Sequence, residues 1–369
     1  QPYRPSGTVF WRGITLDQYD GRSWSSTLPR FWSNQHRTGQ PMALFTLDPP
    51  EDVIRQEIFM ENVETPVVFT YGLPLQIDGN FRGLEMDSAY SFRTIAPPTG
   101  PRRFEMLTDI GPTQSRVAYP IVGTLDPNLS RRFLQLPKVS PAIRNLAKKL
   151  AKGARNDQDK ANTILLHFMK GFTYSLDMKK STDLPSLDEF LFFRKTGHCE
   201  YFASALTVLL RSVGIPARMV NGFMGLEWND MGEYMIVRQT HAHSWVEAFF
   251  PDRGWVTFDP TPPDPNALVE SPNPMTYYMD MLRLNWQRYV VKYNFSDQVQ
   301  LVNFFDNQAQ DLQSSFRSLF DFDFDDFKLT GDNSSWGRVA GVLLLISLGI
   351  WGIIIGVSRY RGHGSHISH

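Results

Sequence analysis

The chain is 369 residues long, enough for two or three domains of about 100 to 200 residues and a sizeable buried core. Its 37 Lys and Arg against 38 Asp and Glu leave a formal charge of −1, which offers no basic field to nucleic acid or to a strongly anionic partner. A single cysteine, Cys199, excludes an intramolecular disulfide and a cysteine-rich metal cage, so this thiol is either a packed side chain or a reagent.

The chain opens Gln1-Pro2-Tyr3 without a basic segment or an apolar leader, and reads as part of something longer. Residues 1–125 carry short β-type runs, among them 8–11, 55–60, 67–71, 91–95 and 103–107, separated by Pro and Gly. Polar and apolar residues partly alternate in 55–60 and 103–107, which predicts half-buried antiparallel strands in a β-sandwich-like domain. No chemistry is visible in this part.

Residues 126–275 change character. Ser140-Pro141 predicts an N-cap with Pro in the first turn, opening a helix with Ile143, Leu146, Ala147 and Leu150 on one stripe before Gly153. Asn156, Asp157 and Asp159 open a second helix that buries Ile164, Leu165 and Phe168 and ends at Gly171. A short third is expected over 187–193. Phe202, Ala205, Leu206, Leu209, Leu210 and Val213 then recur at helical spacing, with Gly214 and Pro216 as stop signals, so a fourth helix is expected over 198–213. Strands follow at 217–222, 234–239, 243–250 and 255–258, which makes the order helices first and antiparallel sheet second. Prolines over 260–274 mark an extended linker.

Residues 276–337 are mostly helical in pattern and end in Asp321-Phe-Asp-Phe-Asp-Asp-Phe327. Those carboxylates suit calcium but lack the spacing of an EF-hand, so they are read as an exposed acidic stretch, and no cofactor is expected. Residues 339–357 are uncharged and apolar, long enough to cross a bilayer core, and place a transmembrane helix at 338–358. Arg359 and Arg361 against Arg338 put the tail 359–369 in the cytoplasm and the rest outside. His363, His366 and His369 in that tail are read as part of an unstructured end.

Cys199 falls in the first turn of the fourth helix. There the helix dipole and an imidazole lower a thiol pKa, and unpaired N–H groups face a developing oxyanion. A base and an orienting group are the next requirement. His243 begins a strand whose one face carries His243, Trp245, Glu247 and Phe249, and Asp259 ends the following strand. A two- or four-residue connection would turn Asp259 away from His243. The pairing therefore predicts an odd-membered or bulged connection, which Gly254 permits. His198 and His241, taken with Cys199 and His243, fit no zinc spacing, and no metal is expected. Glu200 is read as a helix N-terminal charge, and Arg218 and Glu247 as structural ion-pair partners.

Gly197-His-Cys-Glu-Tyr-Phe-Ala-Ser-Ala, residues 209–218, His241-Ala-His-Ser-Trp-Val-Glu247 and Gly254-Trp-Val-Thr-Phe-Asp-Pro-Thr-Pro262 together resemble the transglutaminase-like superfamily, and within it bacterial membrane-anchored TgpA-type proteins. Phe10-Trp-Arg-Gly with Tyr19-Asp-Gly-Arg-Ser-Trp24 resembles the start of that family's extracytoplasmic region. The resemblance implies an α+β, papain-like core with helices packed on an antiparallel sheet, behind a β-sandwich-like domain and ahead of a transmembrane helix. It implies Cys199 as nucleophile, His243 as base and Asp259 as orienter; the family's His-x-Trp pattern selects His243 over His241. Tyr174, His198, Trp245 and Trp255 are candidate cleft residues, with core packing the other reading of Tyr174 and the two tryptophans. The implied reaction is attack on a glutamine carboxamide and transfer of the acyl group to a lysine amine or water. Its partners would be a Gln-bearing protein or peptide and an amine, at the bacterial inner membrane facing the periplasm. A cysteine peptidase or amidase and a catalytically silent binding module are the alternatives.

Overall fold

The structure, a computed structural model, describes residues 3–5, 7–33, 41–44, 52–61, 65–79, 81, 83–95, 100–110, 123–177, 185–225, 227–263 and 274–289. Residues Gln1–Trp286 make one compact unit. The expected acidic stretch 321–327, the apolar run 339–357 and the tail 359–369 lie outside the described residues. Among the described residues no helix is long and apolar enough to cross a membrane.

The unit is mixed α/β. Strand β1 (Phe10–Leu16) leads into two four-stranded antiparallel sheets that share one apolar cluster of Met60, Val68, Ile77, Leu84, Phe92, Phe104 and Met106. Alternation explains the best-formed strand here, Arg102–Asp109, whose Arg102, Phe104, Met106 and Thr108 are buried between half-buried neighbours.

Four helices follow: α1 (Pro127–Phe133), α2 (Pro141–Ala151), α3 (Asp157–Phe168) and α4 (Cys199–Ser212). Their starts are chemically explicit. Ser140 accepts from the Ile143 N–H and Asn156 from the Asp159 N–H, each satisfying a donor that the first turn leaves open. Helix α1 was not expected from the sequence, although Asp126 caps it and Pro127 opens it. The short third helix is realised as Ser186–Asp188 running into a wider-wound turn, Glu189–Arg194, which Lys195 ends at φ +52°.

Helix α4 packs on a four-stranded sheet of order β1, β2 (Ala217–Met224), β3 (Ala242–Phe250) and β4 (Gly254–Phe258). The core between them contains Phe202, Ala205, Leu206 and Leu209 from the helix and Val246, Ala248, Phe250, Val256 and Phe258 from the strands. The other face of the sheet carries Phe249 and Trp255, which pack with Phe133, Leu125, Leu28 and Ala89.

The first strand crosses the expected division of the chain. Residues 1–125 are expected as a β-rich domain ahead of the helices and sheet of 126–275, and from it β1 pairs antiparallel with β2, Phe10 opposite Met224 to Leu16 opposite Met219, as the edge of the second domain's sheet. Tyr19 enters the α4 core, and the Trp24 indole donates to Ser204 at 2.9 Å. Long-range pairing of this kind leaves no local trace in sequence. Beyond the proline-rich linker the chain forms α5 (Pro274–Tyr289), the described part of the helical segment expected over 276–337.

Candidate active site

Each of the three expected site residues owes its place to a local feature. Cys199 is the first residue of α4, with His198 as N-cap in an extended conformation (ψ 174°) that turns the chain into the helix. The approach is held by a short parallel pairing of Thr173–Tyr174 with Thr196–Gly197, in which Tyr174 lies opposite Gly197. His243 sits near the start of β3, and Asp259 follows the last residue of β4.

The connection between β3 and β4 is the three residues 251–253, bounded by the Phe250–Gly254 pair, with Gly254 at φ +72°. Val246 therefore faces Phe258, one position away from what an even connection would give, and Asp259 falls on the face of His243. The result is a direct bond: His243 Nε2 lies 2.8 Å from Asp259 Oδ2. Asp259 Oδ1 accepts the Thr261 N–H at 3.0 Å, which fixes the carboxylate. With Nε2 taken, Nδ1 is the ring nitrogen left for the Cys199 thiol.

These contacts set the charges. Burial is the largest single influence on the Cys199 thiol and pushes it up. Hydrogen bonds from His198 and His243, the charge of His243 and the Ser244 N–H outweigh it and bring the thiol from 9.0 down to about 6. Burial likewise pulls the His243 imidazole down, while the bonds to Asp259 and Cys199 and their charges raise it from 6.5 to about 9. Both shifts favour a thiolate facing an imidazolium, a state that belongs to the two groups jointly. His198, raised first by its bond to Cys199, is a second imidazole on the sulfur, and its ring stands perpendicular to Tyr201 at 5.1 Å.

The four cleft candidates separate. Tyr174 and His198 lie beside the Cys199 turn, both partly exposed. Trp245 and Trp255 correct the groove reading: each is 1% exposed and therefore packed. Trp255 lies edge-on to Phe133 at 4.8 Å with the Arg218 guanidinium 3.8 Å above its ring, and Trp245 lies against Phe10 at 5.0 Å. A large indole on the inner face of a two-sided sheet has more apolar area to bury than a shallow cleft would hide.

Arg218 and Glu247 do pair, Nε to Oε2 at 2.6 Å, with both side chains fully buried. Sequence reasoning missed the third member, Arg12 of β1, whose Nε donates to Glu247 Oε1 at 2.9 Å and whose Nη2 donates to the Ala89 carbonyl at 2.8 Å. It also missed Arg211, buried in α4 and donating to the carbonyls of Ala217, Gln135 and Asp17. Two buried basic residues in apolar surroundings were the available signal, since such charges require partners. Among the described residues no cluster of three or more His, Cys, Asp or Glu is placed to hold a metal ion.

Residues 144–260, which hold the thiol, the imidazole and the carboxylate, match the transglutaminase-like superfamily, and residues 2–114 match the TgpA N-terminal domain. The chain carries a transglutaminase-like core behind a TgpA N-terminal domain. A protein-glutamine gamma-glutamyltransferase of Pseudomonas aeruginosa is 29% identical over 324 residues, covering 80% of this chain and 46% of that protein. An uncharacterized protein of Bacillus subtilis, YebA, is 42% identical over 140 residues, covering 36% of this chain and 19% of its own length. The chain thus spans less than half the length of these relatives. The crystal structure of the periplasmic domain of TgpA from Pseudomonas aeruginosa superposes with a TM-score of 0.55 at 28% identity, over 68% of this chain and 81% of that one. This agrees with the mixed α/β architecture read from the strand order.

Proposed function

We propose that the protein is a thiol acyltransferase that acts on glutamine carboxamides through an acyl-enzyme on Cys199. The observation that carries this reading is the His243 Nε2 to Asp259 Oδ2 bond of 2.8 Å, because it commits one ring nitrogen to the carboxylate and leaves the other for the sulfur. In the proposed reaction the Cys199 thiolate attacks the carboxamide carbon, and the carbonyl oxygen becomes an oxyanion beside the open N–H groups at the start of α4. His243, already protonated, gives its proton to the leaving nitrogen, and ammonia departs from a thioester. It then takes a proton from the incoming lysine amine or water as that group attacks the thioester, which regenerates the thiolate. Asp259 holds the imidazole in the required tautomer and balances its charge.

The name of the Pseudomonas aeruginosa relative supports transfer over hydrolysis, and the periplasmic origin of the TgpA structure supports a site in the cell envelope. The apolar run 339–357 would anchor the chain in the bacterial inner membrane. A cysteine peptidase or amidase would use the same three residues with a different acceptor or scissile bond. Incubation with a Gln-containing protein and a labelled primary amine separates the two: the proposal predicts amine incorporation that is lost in Cys199→Ala. Release of new amino termini without incorporation would replace it with the peptidase reading.

A further inference from the structure

The sheet face that bears His243 is finished by a strand from outside residues 144–260. In register, Arg12 of β1, Gly222 of β2 and His243 of β3 form one cross-strand row. Gly222 is what lets the row close: a Cβ there would lie 2.0 Å from the Trp11 carbonyl oxygen and 2.9 Å from the Trp245 indole. The space so freed is taken by Trp245, whose ring runs nearly parallel to the imidazole (18°) at 6.5 Å. Phe10, half-buried on β1, packs on the same indole with ring centroids 5.0 Å apart. From that row the Arg12 side chain joins Glu247 to the turn that contains Ala89 and Tyr90, so the strand is pinned to the β domain as well as to the sheet.

We propose that Phe10 is a positioning residue for His243, acting through Trp245, so that the TgpA N-terminal domain completes the candidate active site rather than standing beside it as a separate binding module. The role given to Phe10 is not a catalytic one. Phe10 limits the indole to one orientation, and the indole limits the ring that must meet Asp259 and Cys199 at once. The inference rests on the thiol–imidazole reading given above.

The test uses the full chain and three variants at Phe10, graded in side-chain volume: Phe10→Leu, Phe10→Val and Phe10→Ala, with His243→Ala as reference. Alkylation of Cys199 by iodoacetamide is followed from pH 5 to 10, and kcat and KM for amine incorporation are measured beside the thermal midpoint. Folded Phe10→Ala is expected to move the acid midpoint of alkylation upward by about 0.5 to 1 pH unit and to lower kcat by about tenfold with the amine KM unchanged. Phe10→Leu should keep most of the wild-type profile, and Phe10→Val should fall between. A purely structural role would lower the thermal midpoint and leave both readouts in place. A folded Ala or Val variant with the wild-type pH profile, beside a His243→Ala variant that has lost it, overturns the positioning role alone. An unmoved profile in His243→Ala overturns the thiol–imidazole reading and this inference with it.

Discussion

Replacing Asp259 with Asn keeps the shape of the side chain and removes its charge, which makes it the cleanest perturbation of the pair. In the wild type the imidazole is raised from 6.5 to about 9, equivalent to roughly 3 kcal/mol in favour of its protonated form. Burial works against that rise, and the bond to Asp259 is the largest influence behind it, ahead of the bond to Cys199. Loss of the carboxylate charge should return about half of the shift and bring the alkaline limb of the rate profile down by about 1 pH unit. The acid limb should rise, because a less basic imidazole holds the thiolate less well. The sign follows from the active state: thiolate needs pH above its own value of about 6, imidazolium needs pH below about 9, and the variant narrows the window from both ends. Turnover at the optimum should fall by about 10² to 10⁴, the larger part from a misoriented ring. The assay is amine incorporation from pH 5 to 10, with kcat separated from KM. An Asp259→Asn enzyme with both limbs where the wild type has them would refute the argument that this carboxylate orients and charges His243.

Other outcomes follow from the same geometry. Glu247→Ala leaves two buried guanidinium groups without their carboxylate and should destabilise the fold by about 3 to 5 kcal/mol, read by denaturant unfolding. Because Arg12 and Arg218 hold Glu247 below its ordinary 4.5 against the opposing effect of burial, its contribution is present above pH 4.5 and is lost as pH falls through the lower folded value. Trp255→Ala should cost about 3 to 5 kcal/mol and leave the KM for the Gln substrate unchanged in the folded fraction, since that indole packs and does not line a cleft. Hydrogen peroxide should abolish amine incorporation through Cys199 with little change in the thermal midpoint, because the thiol is partly exposed and the chain holds no other cysteine.

The parts of the fold that were legible in the sequence are those governed by neighbours along the chain. Ser140-Pro141 and Asn156 announce helix starts because capping is a three-residue interaction. The odd connection between β3 and β4 was legible for a related reason: side chains alternate, so asking which loop puts Asp259 on the face of His243 has one kind of answer. Residues brought together from distant positions were not legible. Strand β1 pairs with a strand some two hundred residues away, Trp11 opposite Phe223, and nothing local in Phe10-Trp-Arg-Gly selects that partner. The buried partners of Arg12 were hidden for the same reason, and Trp245 stayed open between groove and core packing until β1 and Gly222 closed over it. Helix α1 is different, for Asp126-Pro127 carried both the cap and the first-turn proline, and its length of 7 residues left too short an apolar stripe to stand out.

The claim at the centre of this account is that His243 makes Cys199 a thiolate near neutral pH, and the most direct measurement is the pH dependence of Cys199 alkylation in wild type and His243→Ala. The structure predicts a wild-type midpoint near the thiol value of about 6, with a rise toward an ordinary thiol and slower labelling at pH 7 when the imidazole is removed. Superimposable curves for the two proteins would contradict it.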